Sequence, residues 1–324
     1  MWYKRAQSDQ LQPSLFFEPW SEGSEIRDNA GKSMPVYHGT THELDKFDIK
    51  KTSPNSYYGQ GFYFTDSPKD ASFNYANPKG ADIEGKIADV LDSLLAKYEE
   101  STDELNNDFG FNEDKEWTQQ ELEEFLRMKA TEQIVGNNQG NILPAYVKMK
   151  NPINLSPQGG TYLEYEYDED DNGDIIEDSE RGTLIDFTNA FKDAANDYGL
   201  DGDEALRQLE EKIELIDASA YKVFMAIKEN EWLMDELSYV AADMGKDSVS
   251  GDFVSDIIQR MGYDGIIMDA YSHFGPRKYP WGSTKGMEHI TPKDRHYVVW
   301  NPNQIKSAIG NTGWYNPENS SILG

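Results

Sequence analysis

Apolar positions along this chain switch between alternating and helical spacing, and the switches mark its elements. Val36 and Tyr37 run into His38-Gly39-Thr40, which predicts a short strand ending in a polar, backbone-accessible tip. Gly59 and Gly61 precede Phe62-Tyr63-Phe64, a second strand, and Thr65-Asp66-Ser67-Pro68 then turns the chain. That turn predicts a helix with Ser67 as N-cap, Pro68 at its first position and Asp70 in its first turn. Ile83, Ile87, Val90, Leu91, Leu94, Leu95 and Tyr98 share one face of an amphipathic helix over 81–100. Thr118 and Glu121 form a capping box ahead of Leu122, Phe125 and Leu126.

The second half repeats the alternation of spacings. Residues 142–155 read as a strand with a turn at Asn151-Pro152. Tyr162, Glu164, Tyr165, Glu166 and Tyr167, followed by Asn172-Gly173, predict a β-hairpin. From 184 to 261 the spacing is helical, with Leu206, Leu209, Ile213 and Ile216 as one stripe and Val223, Phe224 and Ile227 as another. Phe253, Val254, Ile257, Ile258 and Met261 form a helix stopped by Gly262. Ile266-Ile267-Met268 and Tyr297-Val298-Val299-Trp300 read as buried strands. Residues 1–33 look like an arm pinned by Phe16, Phe17 and Trp20, with a turn at Asp28-Asn29-Ala30-Gly31.

At 324 residues the chain can bury a sizeable core. Mean hydropathy of −0.75 marks long polar excursions, and no apolar run approaches the roughly 20 residues a membrane span needs. The N-terminus lacks the apolar stretch of a secretory signal. Cysteine is absent, which excludes disulfides and thiolate sites. The net charge of −29 repels nucleic acid at long range and attracts a basic partner or inhibitor. One basic stretch, Arg277 to Lys285, stands against that trend.

Metal binding is not expected. His38 and His42 are four apart, but on a strand and without a third ligand nearby. Asp168, Asp170, Asn172 and Gly173 match half a calcium loop, yet Ser179 stands at the twelfth position and the flanks read as strand.

HGT at 38–40, GQGFYFTD at 59–66 and a helix ending in Asn74-Tyr75-Ala76 together resemble the NAD-binding core of ADP-ribosyltransferases of the diphtheria toxin and poly(ADP-ribose) polymerase type. The opening NAGKSMPVYHGT and the closing YVVWNPNQIKSAIGNTGWYNPENSSIL resemble, more narrowly, the ADP-ribosyltransferase modules of phage and mobile-element polyvalent proteins. The resemblance implies an α+β fold: a split antiparallel β-sheet core with helical and β-hairpin insertions. The expected domain spans 34–315, with insertions over 81–140 and 161–260, after an N-terminal arm (1–33) and before a tail (316–324). It also implies NAD as substrate.

By that resemblance His38 bonds the adenosine ribose, and the Gly39 main chain reads the nicotinamide carboxamide. Thr40 completes the motif, Tyr63 and Tyr75 sandwich the nicotinamide ring, and Ser72 reaches the carboxamide. The Tyr63–Tyr75 spacing is one residue longer than in the polymerase-type pattern. A larger departure follows. Where those relatives carry a glutamate bonding the 2-hydroxyl of the nicotinamide ribose, this chain has His296. Glu288, Gln304 or His296 itself is expected to act there. The implied activity is single ADP-ribose transfer to a macromolecule, protein rather than nucleic acid, of toxin or phage effector type. The alternative is an NAD-binding module without transfer activity. The expected location is the cytoplasm of a bacterial host, or delivery with a phage or secretion system.

Overall fold

A computed structural model describes residues 20–309 apart from 43, 45, 54–55, 78, 101–108, 112–114, 136–139, 165–181, 247, 275–277, 280–281 and 284–289. The first strands, β1 (Val36–Thr40) and β2 (Phe62–Thr65), are followed by the short helix α1 (Pro68–Asp70) and a π-helical turn, Ala71–Tyr75. Ser67 caps α1 by accepting the Asp70 N–H, with Pro68 in its first turn. Then come α2 (Ala81–Glu100), α3 (Gln119–Val135), β3 (Asn141–Val147) and β4 (Pro152–Asn154). Thr118 and Glu121 bond each other reciprocally ahead of α3, the capping box expected there.

Five helices follow: α4 (Thr183–Asp197), α5 (Gly202–Glu210), α6 (Ala220–Lys228), α7 (Glu231–Asp243) and α8 (Ser250–Arg260). The chain returns to the sheet with β5 (Gly265–Asp269), passes α9 (Ala270–Phe274) and the short strands β6 (Lys278–Tyr279) and β7 (Gly282–Ser283), and ends with β8 (Arg295–Val299) and β9 (Ile305–Ser307).

Seven strands form one sheet in the order β4-β5-β8-β2-β1-β3-β9. All neighbours are antiparallel except β4 and β5, so the sheet is mixed at one edge. Residues 142–155 are therefore two strands near opposite edges of the sheet, where the sequence suggested one strand with a turn.

Alternation decides which side chains meet. Val298, Ile266 and Met268 face α4–α8 and join the larger apolar cluster, with Phe187, Phe191, Phe224 and Phe253. Phe62, Phe64, Tyr297 and Val299 face the other way, onto Ile26, Val36 and Phe47. A third cluster is built by α2, α3 and the segment joining them, around Ile87, Leu91, Phe111 and Leu126, so this insertion carries its own core.

One helical stripe needs amendment, and two further expectations fall outside the described residues. The stripe of Leu206, Leu209, Ile213 and Ile216 breaks because α5 ends at Glu210, leaving Ile216 exposed. The hairpin at 162–178, including the half calcium loop, and the arm residues Phe16 and Phe17 lie mainly or wholly outside the described residues. The turn at 28–31 is as expected: Asp28 Oδ1 accepts the N–H groups of Ala30 and Lys32, and Gly31 takes a φ of 74°. Among the described residues no helix is long and apolar enough to cross a membrane.

Phe253 is fully buried between Phe191 (5.6 Å, 79°) and Tyr198 (5.4 Å, 85°). Phe253→Ala should lower stability in urea unfolding by about 3–5 kcal/mol through the cavity it leaves. A loss under about 1 kcal/mol would mean that α8 does not pack as described.

Candidate functional site

The sheet opens between β1 and β2. β1 pairs with β3 at all five of its residues, but with β2 only at Tyr37↔Thr65. Backbone groups alternate sides along a strand. The Asp66 N–H donates to the Arg295 carbonyl at 3.1 Å, so Asp66 and Phe64 turn toward β8 while Tyr63 and Thr65 turn toward β1. By the same alternation the N–H and C=O of Tyr37 and Gly39 point at β2. Beyond Tyr37 the strands part, and the main chain of Gly39 is directed into the opening. His38 fills part of it: its Nδ1 lies 2.8 Å from the Tyr63 carbonyl, an imidazole standing where a neighbouring strand would place an N–H.

The His38 ring packs edge-on to Phe47 at 5.2 Å and tilts against Phe64 at 5.5 Å. Burial lowers its pKa from 6.5 to about 4, although the bond to the Tyr63 carbonyl pulls the other way. His38 is therefore neutral at physiological pH. Thr40 turns the chain after the strand, its hydroxyl accepting the His42 N–H at 3.1 Å.

The π-turn lies directly on Gly39. A Cβ there would sit 2.3 Å from the Ala71 carbonyl oxygen and 2.6 Å from the Tyr75 Cβ. This adds a reason for glycine that the sequence reading did not contain: helix packing forbids a side chain before any ligand is considered. The π-turn also accounts for the extra residue between Tyr63 and Tyr75. A π-turn takes up one residue more than an α-turn, so Tyr75 still lands over Gly39. Ser72, on the same turn, is half-buried.

The two tyrosines have different partners. The Tyr63 hydroxyl donates to the Gly59 carbonyl at 2.8 Å and accepts the Tyr58 N–H at 3.1 Å, bracing the loop before its own strand. That loop is also tied to α8, where Asp252 Oδ1 accepts the Gln60 N–H at 2.8 Å and the Ser255 hydroxyl donates to the Tyr58 carbonyl. Tyr75 instead meets His296 edge-on at 5.9 Å and 67°. Burial is the main cause raising both phenol pKa values. The Asp82 carboxylate, in the first turn of α2, is a lesser cause that raises the pKa of His38, Tyr63 and Tyr75 alike. Asp82 pairs with Lys86 at 2.7 Å.

His296, the second residue of β8, stands opposite Thr65 and is buried. Its Nε2 lies 2.6 Å from Asp70 Oδ2, and Asp70 Oδ1 accepts from Asn74 Nδ2 at 2.6 Å. Asp70 is fully buried. A buried carboxylate costs several kcal/mol unless paired, and these two bonds supply the pairing. From sequence alone Asp70 reads only as a first-turn acid. The signal that could have singled it out was its position one turn before Tyr75.

Gln304 is not brought to this group. It follows the far end of β8, where its Nε2 donates to the carbonyls of Lys148 (2.9 Å) and Asp264 (2.8 Å). Its Oε1 accepts the Asn301 N–H at 3.1 Å, closing a capping box. All three bonds hold the turn into β9. Glu288 lies outside the described residues.

The depressed pKa of His38 has a stability consequence. Between about 4 and 6.5 the unfolded chain binds the proton more tightly, so the histidine's contribution is intact above pH 6.5 and is lost as pH falls toward 4. NMR titration should show the His38 ring still neutral at pH 5.5, and His38→Gln should reduce the stability lost between pH 7 and 5. A ring that titrates near 6.5 would contradict the packing described.

No curated protein and no solved structure matches this chain. A family model described as ADP-ribosyltransferase in polyvalent proteins matches residues 28–136 and 127–315, which include both sides of the β1–β2 opening and the whole seven-stranded sheet. The chain belongs to the family of ADP-ribosyltransferases found in polyvalent proteins.

Proposed function

We propose that the protein transfers a single ADP-ribose from NAD to a macromolecular acceptor, with the nicotinamide end of NAD held at the β1–β2 opening. The observation that carries this reading is the Gly39 main chain, directed into a gap that the sheet leaves between two paired regions. The N–H and C=O of one residue, a donor and an acceptor, match what a primary carboxamide needs. Tyr75 and His296 flank the same face, giving an aromatic ring and a hydrogen-bonding ring beside the sugar.

Cleavage of the nicotinamide–ribose bond places positive charge on the sugar, so the protein's work is positioning and charge stabilisation. His38, neutral and wedged against Phe47 and Phe64, shapes the opening, and this reading gives it the adenosine ribose. Tyr63 has its hydroxyl committed to the loop at 58–59, so only its ring could serve a ligand. The acceptor is proposed to be a protein with basic character, since a net charge of −29 disfavours nucleic acid. With His296 in place of a directly placed glutamate, chain elongation is not expected.

The second reading, an NAD-binding module without transfer, is favoured by the burial of His296 against Asp70. Labelled NAD separates the two. Nicotinamide release with label incorporated into protein supports the enzyme; saturable binding without release supports the module; no binding removes both. Tyr75→Ala should weaken NAD binding by about 1–3 kcal/mol, the scale of a lost aromatic stack. Tyr63→Phe should leave NAD affinity nearly unchanged but cost about 1 kcal/mol of stability through the lost loop bonds. The reverse pattern would exchange the roles given to these two rings.

A further inference from the structure

One helical segment places a ring over Gly39 and a carboxylate against β8. Residues 68–75 place Tyr75 over Gly39 and drive the Asp70 carboxylate onto the ring of His296. Both Asp70 oxygens are committed, one to His296 Nε2 and one to Asn74 Nδ2, each at 2.6 Å. Its backbone N–H is held by Ser67 Oγ at 3.3 Å. The carboxylate is thus fixed in orientation, and the imidazole it meets sits on the sheet face that carries Tyr63 and Gly39.

A carboxylate can accept a hydrogen bond but, when ionised, cannot donate one. With Asp70 ionised, the 2.6 Å contact calls for the proton on Nε2 and leaves the ring's lone pair on Nδ1. We propose that Asp70 is a positioning residue for the ribose step: it fixes the His296 tautomer and supplies, through the imidazole, negative charge beside the sugar. This rests on the transfer reading above. In that step the bond between C1 of the ribose and the nicotinamide nitrogen breaks heterolytically. Its electron pair leaves on the nitrogen, which becomes neutral, and positive charge passes to the sugar. The acceptor nucleophile then bonds C1 and releases its proton to solvent. His296 accepts the 2-hydroxyl hydrogen bond throughout and ends the cycle in the protonation state in which it began. Asp70 stabilises the positive character that the ring takes on as this bond strengthens.

A pair serving only to fasten the helix to β8 would behave differently. Asp70→Asn keeps the shape and the hydrogen-bonding atoms but removes the charge. With NAD, kcat for nicotinamide release should fall on the order of 10²-fold, the scale of losing one aimed electrostatic group. KM should stay within about three-fold of the wild type, because the group acts in the transition state rather than in binding. Retained kcat, or a rise in KM with unchanged kcat, overturns the proposal. A wild-type protein that releases no nicotinamide overturns the transfer reading and takes this proposal with it, an outcome distinct from normal turnover by both forms. If Asp70→Asn fails to fold, nitrogen-15 NMR of the wild type at neutral pH decides. The expected signature is a single downfield proton on His296 Nε2, absent in His296→Gln. A proton on Nδ1, alone or together with Nε2, overturns the proposal.

Discussion

A helix can lie flat against a strand only where the strand gives up its side chain, and in this protein that happens at Gly39. The Ala71 carbonyl occupies the space in which a Cβ would stand. Overpacking by even one carbon forces backbone to move, and here the obstruction is backbone on both sides. From this contact the rest of the site follows. The segment 68–75 is held at a fixed height over β1, Tyr75 is placed over the main chain of Gly39, and Asp70 is pushed toward β8.

The opening between β1 and β2 depends on a second constraint. A strand pair that ends after one residue leaves main-chain groups in need of partners. His38 takes the Tyr63 carbonyl and is half-buried against Phe47 and Phe64, and desolvation keeps its ring neutral. On the other flank the loop at 56–61 is bonded to Asp252 and Ser255 of α8, so β2 is anchored away from β1. Gly251 makes the approach possible, since a Cβ on it would sit 2.4 Å from the Gly59 nitrogen. The helical insertion over 183–260 therefore buries the sheet and also holds one side of the gap.

Family membership and site geometry bear on different questions. The family establishes an ADP-ribosyltransferase architecture. The side chains then say how this chain meets the demands of that chemistry. An imidazole backed by a carboxylate stands near the start of β8, and a π-turn takes up the spacing to Tyr75. Both are local departures answered by a compensating feature, the pattern expected at a functional site.

Much of the fold was legible along the chain. The Ser67 cap, the Pro68 start, the helix over 81–100, the capping box at 118–121 and the stop at Gly262 are all decided within one or two turns, where neighbours in sequence are neighbours in space. The need for glycine at 39 was legible too, though its packing partner was not. What the sequence could not state is the pairing of Asp70 with His296, which are 226 positions apart. Nor could it place Gln304 as a clamp on the turn into β9. The first contact exists because Thr65 pairs with His296 across β2 and β8, so that the turn following Thr65 carries Asp70 back onto the ring. Local chemistry wrote the elements; the sheet order alone decided which distant side chains would share a site.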